Sequence, residues 1–216
     1  MTPARRERKT VPKGTLNEAR WNEVLRAAAA VFAEHGYQAA NISDIAARLG
    51  ILKGSLYYYI ESKEDLLLEL MRRSHARGHE YIAEDDDTSA LDAPARLEAL
   101  IRRWMCGLRE HPTEVQIDQH DIQYLSAEGR EEIVAMRRHM TEFAHALIAQ
   151  GQIDGTFSSQ HDARVAATTL FQILVGAETA RRRNEEQWAA LTDWYVHLFL
   201  GSLSTDVVRH DLLGID

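Results

Sequence analysis

The sequence predicts an all-α protein, a small N-terminal helix-turn-helix domain joined to a larger helical bundle, and three observations carry that prediction. Apolar residues recur at helical spacing in one segment after another; several of those segments open on an Asn or Ser cap and stop at glycine or before proline; and no stretch alternates with the period of two that marks a half-buried strand.

Composition narrows the function. The chain has 216 residues, 45% hydrophobic and 27% charged, an ordinary globular balance. No run approaches the ~18 consecutive apolar residues of a spanning helix, and the Arg- and Lys-rich start lacks the apolar segment of a secretory signal, so no membrane partner and a cytoplasmic location are expected. The single cysteine, Cys106, sits among Trp104, Met105 and Leu108, which predicts a small buried hydrophobe rather than a redox site. The net charge of -8 hides an asymmetry: residues 1–63 hold 10 Lys and Arg against 6 Asp and Glu, and residues 64–216 hold 15 against 27. All four lysines, Lys9, Lys13, Lys53 and Lys63, lie in the front segment, the footprint of a domain that meets a polyanion joined to one that does not.

The elements follow in order. Residues 1–16 carry Arg5, Arg6, Arg8, Lys9 and Lys13 with no apolar period, a flexible basic arm that either follows DNA phosphates or only keeps the chain soluble. Asn17 caps a first helix whose stripe is Trp21, Val24, Leu25, Ala28 and Phe32; it stops at Gly36, with Tyr37 folding back on the last turn. Asn41 and Asp44 form a variant capping box for a second helix that buries Ile45, Ala46 and Leu49 and ends at Gly50.

The third helix begins near Lys53, and 100° per residue fixes its faces. Leu56 and Ile60 share the core side, Gly54, Ser55 and Tyr58 lie opposite, and Tyr57 and Tyr59 flank. Three consecutive tyrosines cannot all be buried on so short a helix. The arrangement suits a major groove: Gly54 permits close backbone approach, Ser55 and Tyr58 reach base edges, and the flanking hydroxyls meet phosphates. A fourth helix opens at Ser62 with Asp65 as its capping partner. Lys63, in its first turn, opposes the helix dipole by ~0.3–1 kcal/mol, and reads as half of a phosphate-binding site.

The run from Trp21 to about Leu70 resembles the DNA-binding domain of the tetracycline-repressor (TetR) family. The resemblance is carried by Asp44-Ile45-Ala46, Leu49-Gly50, the stretch Gly54 to Ile60, and Ser62-Lys63-Glu64-Asp65-Leu66. It implies that the third helix enters the major groove, that Tyr57 and Lys63 hold phosphates, and that the second helix touches DNA near Asn41 and Ser43. It implies three regions: the arm at 1–16, a helix-turn-helix DNA-binding domain at 17–65, and a helical ligand-binding and dimerisation bundle at 66–216. The sequence departs from the family pattern at Leu52, where a capping Ser or Thr is common, at Tyr59, where His is common, and at Ile60, where Phe is usual.

Beyond Leu70 only the general plan is shared. His75 and His79 stand four apart, a spacing that can chelate a metal, but one further ligand is too few and a solvated face is expected; Asp85-Asp86-Asp87 reads as a solvated linker. Pro94 lies near the start of a helix bearing Leu97, Leu100, Ile101, Trp104, Met105 and Leu108, which His111-Pro112 ends. Helical segments follow near 113–125, 127–150, 161–183 and 185–203. Apolar faces with polar tips nominate Trp104, His120, Tyr124, Met140, Phe143, Leu147 and Phe171 as lining residues of a cavity in this bundle. The segment Tyr124 to Arg130 and the pair Arg137-Arg138 resemble family members that answer to fatty-acyl or steroid-derived coenzyme A thioesters, with the arginines at the cavity mouth suited to phosphates. A neutral apolar effector is equally open.

The last two segments spread apolar residues over more than one face: Val165, Leu170, Ile173, Leu174 and Ala177, then Trp188, Leu191, Trp194, Tyr195, Leu198 and Phe199. In the family these helices pair across a two-fold axis. The expected partners are therefore a double-stranded, near-palindromic operator, a small hydrophobic or acyl-CoA-like effector and a second copy of the chain, with no cofactor and no metal. The expected function is a repressor released by its effector. An activator, a ligand-independent architectural dimer and, last, an enzyme built on the histidines and carboxylates of the bundle are the alternatives.

Overall fold

A computed structural model describes residues 18–83, 91–180 and 183–205; the basic arm, the proposed cap Asn17 and the Asp85 to Asp87 run lie outside the described residues. Among the described residues nine α-helices follow one another: α1 (Glu18–His35), α2 (Ile42–Arg48), α3 (Lys53–Leu56), α4 (Lys63–Ala83), α5 (Ala93–Glu110), α6 (Pro112–Asp121), α7 (Ala127–Ile153), α8 (Ala163–Gly176) and α9 (Glu185–Leu203). Short 3₁₀ turns extend α6 over Ile122–Tyr124 and α8 over Ala177–Ala180. Among the described residues there is no strand, only an isolated antiparallel bridge between Phe157 and Ser204.

Local chemistry explains the boundaries. Asn41 accepts hydrogen bonds from the amides of Ser43 (2.9 Å) and Asp44 (3.1 Å) while Asp44 accepts from the Asn41 amide (3.3 Å), the expected reciprocal box. Ser62 and Asp65 do the same for α4, each amide donating to the other's side chain at 3.2 Å. Asp92, Ser126, Asp162 and Asn184 cap α5, α7, α8 and α9. Gly36 (φ +75°) and Gly50 (φ +67°) end α1 and α2 in the left-handed conformation that costs a side-chain-bearing residue about 1–2 kcal/mol. Pro112 stops α5 and, as the first residue of α6, starts the next helix where its missing N–H is not needed.

Two cores form. The first joins α1, α2, α3 and the front of α4 around Val24, Phe32, Ile45, Leu56 and Leu67, and takes in Ile117 of α6, Leu125 of the link that follows and Ile133 of α7. The second joins α5, α7, α8 and α9 around Leu97, Met105, Ile148, Leu170 and Phe199. Residues as far as Met71 belong to the first core. The packing unit thus runs past residue 65 into α4, a helix shared by both halves.

Specific pairs tie the halves together. The Tyr37 ring stacks on Tyr124 with centroids 5.3 Å apart, and the Glu64 carboxylate accepts from the Ser126 amide at 2.7 Å. Arg72 grips Glu132 through two parallel hydrogen bonds of 2.5 and 2.6 Å, the planar geometry in which guanidinium and carboxylate match best. Burial, helped by the charge of Glu64, pushes the Tyr37 phenol up to about 12, so it stays neutral at any physiological pH.

Candidate nucleic-acid interface and ligand cavity

The α2 and α3 surface presents the side chains expected of a reading face. Ser43, Lys53 and Gly54 are exposed, Tyr58 is 71% exposed and Tyr57 37%, whereas Leu56 and Ile60 are buried. Regular α3 spans only Lys53–Leu56, shorter than the expected helix to Ile60; the backbone winds on through i→i−3 bonds from Tyr58 to Ser55 (3.2 Å) and Tyr59 to Leu56 (2.9 Å). That winding keeps the order of faces around the axis. Ser55, half-buried, sits beside Gly54 on the outer side. Leu52 is 81% exposed at the cap of α3 and makes no capping bond, so the departure noted in the sequence leaves that helix start uncapped by any side chain.

Two expected contacts, at Tyr59 and Lys63, are placed differently, and Asn41 keeps its expected capping role. Tyr59 is half-buried against the first core, beside Arg20 of α1, and is not a free flank of the face. The Asn41 side chain is engaged as the α2 cap. Lys63 turns inward: its ammonium donates to the carbonyls of Tyr37 (2.6 Å), Ala40 (2.9 Å) and Gln38 (3.2 Å) and lies 4.3 Å from the centre of the Tyr37 ring. An ammonium has three N–H donors and all three are engaged. The cation at the start of α4 thus serves loop carbonyls that need a donor.

In the bundle, α4, α5, α6, α7 and α8 enclose a cavity of about 400 Å³. Of the residues nominated from sequence, Trp104, Met140 and Phe171 line it, with the Trp104 and Phe171 rings edge to face at 4.9 Å. The other four do not. Leu147 is buried in the second core and Phe143 packs against that core; Tyr124 is taken up by its stack on Tyr37; His120 is exposed at the end of α6. All four lie on helix faces that the docking of neighbouring helices turns away from the cavity.

Of the polar wall, the sequence pointed to Arg137 alone. His75 on α4, only 7% exposed, meets Asp118 on α6 at 2.9 Å, and Arg137 on α7 donates to the carbonyl and carboxylate of Asp118 at 2.7 and 2.9 Å. The expectation of a solvated His75 and His79 face fails: His75 is buried in this network, and the half-buried His79 ring lies 4.7 Å from that of His139. Among the described residues no three potential metal ligands cluster. Arg137 lines the cavity but is held by Asp118, and Arg138 is exposed. One signal in the sequence could have found His75: it continues the four-residue spacing of the buried Leu67 and Met71.

Cys106 also departs from expectation. It is exposed on the outer side of α5, its thiol 3.4 Å from Glu110, and partial desolvation together with that carboxylate pushes the thiol up. No described helix is long and apolar enough to cross a membrane.

A small helical head that presents an exposed aromatic turn, mounted on a bundle that holds a lined cavity, defines a DNA-binding regulator controlled through its bundle. Comparison with known proteins agrees: residues 24–70 match the model of the bacterial regulatory proteins of the tetR family, and residues 90–179 match the tetracyclin repressor-like C-terminal domain. The chain is 30% identical over 201 residues to the transcriptional repressor KstR2 of Rhodococcus jostii (strain RHA1), spanning 91% of this chain and 88% of that protein. The solved structure of the ketosteroid regulator KstR2 of Mycobacterium tuberculosis superposes with a TM-score of 0.74 at 24% identity, over 89% of this chain and 98% of that one. The regulator AibR, solved with isovaleryl coenzyme A and operator DNA, superposes with a TM-score of 0.72 at 23% identity, over 83% and 97%. The protein belongs to the TetR family: it is a transcriptional regulator and not an enzyme.

Proposed function

We propose that the protein is a repressor that binds a near-palindromic operator as a homodimer and is released by an acyl-CoA-like effector seated in the bundle cavity. One observation carries the reading: the helix that starts under the reading head also walls the cavity. The first turn of α4 anchors the loop of Tyr37 to Ala40 through Lys63, and three turns later the same helix offers His75, Arg77 and Gly78 to the cavity. The relatives named for ketosteroid control, and the AibR complex with an acyl-CoA, support the class of effector. Exposed Val165 and Ile173 on α8 with Trp194 and Leu198 on α9 support pairing of two copies. A protein that reads operator DNA works in the cytoplasm.

The reading set proposed for DNA is Ser43, Lys53, Gly54, Ser55, Tyr57 and Tyr58, with Tyr58 the deepest reader. A hundredfold loss of operator affinity on effector binding requires about 2.7 kcal/mol of coupling, within the usual allosteric range. The test is selection of bound DNA from a random pool, then titration of the complex with octanoyl-CoA and with the CoA thioester of a steroid acid. Release by one of them, and altered preference among selected sequences for Tyr58→Ala, are expected. Operator affinity indifferent to every thioester would leave an architectural dimer, and unchanged sequence preference would remove Tyr58 from the reading set.

A further inference from the structure

Three buried side-chain nitrogens of the cavity wall have nothing described to receive them, the Nε of Arg137 on α7 and two others. The Nη2 of Arg77 on α4 and the Nε1 of Trp104 on α5 are both buried, both belong to side chains that line the cavity, and neither finds an acceptor among the described residues. Arg137 differs in that its Nη2 is already held by Asp118, where His75 also meets it, so its charge is matched although its Nε is not bonded. Guanidinium and indole nitrogens only donate, so no rearrangement between Arg77 and Trp104 can satisfy them. Charge points the same way: Asp118 is the only carboxylate among the lining residues and is already held by Arg137, which leaves Arg77 as an unmatched cation on a largely apolar surface.

We infer that the effector places a carboxylate between Arg77 and Trp104, with its apolar chain along Met140 and Phe171. This rests on the reading of the cavity as the effector site. A carboxylate supplies the two acceptor oxygens that a guanidinium fork and an added N–H can share, and it balances the charge of Arg77 where water is scarce. A plain hydrocarbon in the same place leaves both donors buried and unpaired. A site built around a hydrogen bond rejects the analogue that lacks it far more strongly than a greasy site rejects a missing methylene. The carboxylate has two possible sources, a free acid or the distal carboxyl of a dicarboxylic acid bound to coenzyme A at its other end.

Calorimetry on the full chain with four probes separates the possibilities: decanoic acid, methyl decanoate, decanoyl-CoA and the mono-CoA thioester of decanedioic acid. The acid is expected to bind at least about tenfold tighter than its methyl ester, and the carboxylated thioester at least about tenfold tighter than decanoyl-CoA. Arg77→Met and Trp104→Phe should each bring those ratios to within about threefold of unity. The phenyl ring keeps the aromatic contact with Phe171, and a cooperative thermal transition in both variants establishes that they fold. Binding of the acid but of neither thioester upholds the carboxylate and overturns the coenzyme A reading. Equal affinity for acid and ester, or a preference that survives Arg77→Met, overturns the carboxylate; thioester binding in that case leaves the coenzyme A reading standing. Failure of all four probes to bind overturns both.

Discussion

Replacing Lys63 by methionine separates a structural lysine from a phosphate clamp. Methionine keeps the apolar stem and removes three donors, from the carbonyls of Tyr37 at 2.6 Å, Ala40 at 2.9 Å and Gln38 at 3.2 Å, and the cation 4.3 Å from the Tyr37 ring. Hydrogen bonds from a charged donor contribute about 1.5–3 kcal/mol each when buried, and the cation over the ring about 0.5–1 kcal/mol. Two of the acceptors here are only partly buried and one is exposed, so the freed carbonyls recover water and the net loss should be about 2–4 kcal/mol. Amide hydrogen exchange of residues 37–60 reads that loss locally, and urea unfolding reads it for the chain. Operator affinity should fall for every sequence while the slope of log K against log salt stays at the parent value, because no phosphate contact is removed. Parent-like stability together with a slope shallower by about 0.9 per protomer would refute the argument and restore the clamp.

Two further outcomes follow from packing. A Cβ on Gly151 of α7 would run into the Phe157 ring and come within 2.9 Å of Ala93 Cβ, so Gly151→Ala should cost about 1–3 kcal/mol. That corresponds to a drop in Tm of roughly 3–10 °C by calorimetry, and an unchanged Tm would mean that the contact with α5 is slack. Trp194 stands 54% exposed on α9, and Trp194→Asp should shift the sedimenting species towards the 24.5 kDa single chain and weaken operator binding; a dimer that persists would place the pairing surface elsewhere.

Helices, caps and stops were legible because they depend on neighbours a few residues apart: Asn41 with Asp44, Ser62 with Asp65, the left-handed glycines at 36 and 50. The split of the third helix into the buried Leu56 and Ile60 and the exposed Tyr58 was legible for the same reason. The inward turn of Lys63 was not legible because its acceptors lie 23 to 26 residues earlier, in a loop whose path no local pattern specifies. His75 was misread because the carboxylate that allows it to be buried, Asp118, sits 43 residues further on. Cys106 has apolar neighbours in sequence, yet they point inward and it points out. The cavity was half legible: helix periodicity identifies an apolar face, but only the docking of α4, α6 and α7 decides whether that face fills a core, as Leu147 does, or leaves space, as Met140 does.

Under the proposed release mechanism, the grip of Arg72 on Glu132 would give α4 a pivot. At 1.5 Å per residue, Lys63 lies about 13.5 Å along the helix on one side of Arg72, and the cavity wall at Gly78 about 9 Å on the other. A stiff helix rocking about that point is a lever with arms in a ratio of about 1.5, so a ligand that pushes Gly78 outward by about 1 Å swings the head back by about 1.5 Å. In a symmetric pair the two displacements combine to as much as about 3 Å, close to the rise of one base pair. In the proposed mechanism the place of Arg72 along α4 would set how far a displacement at the cavity is magnified at the head, to the extent that the Tyr37–Tyr124 and Glu64–Ser126 contacts yield with it.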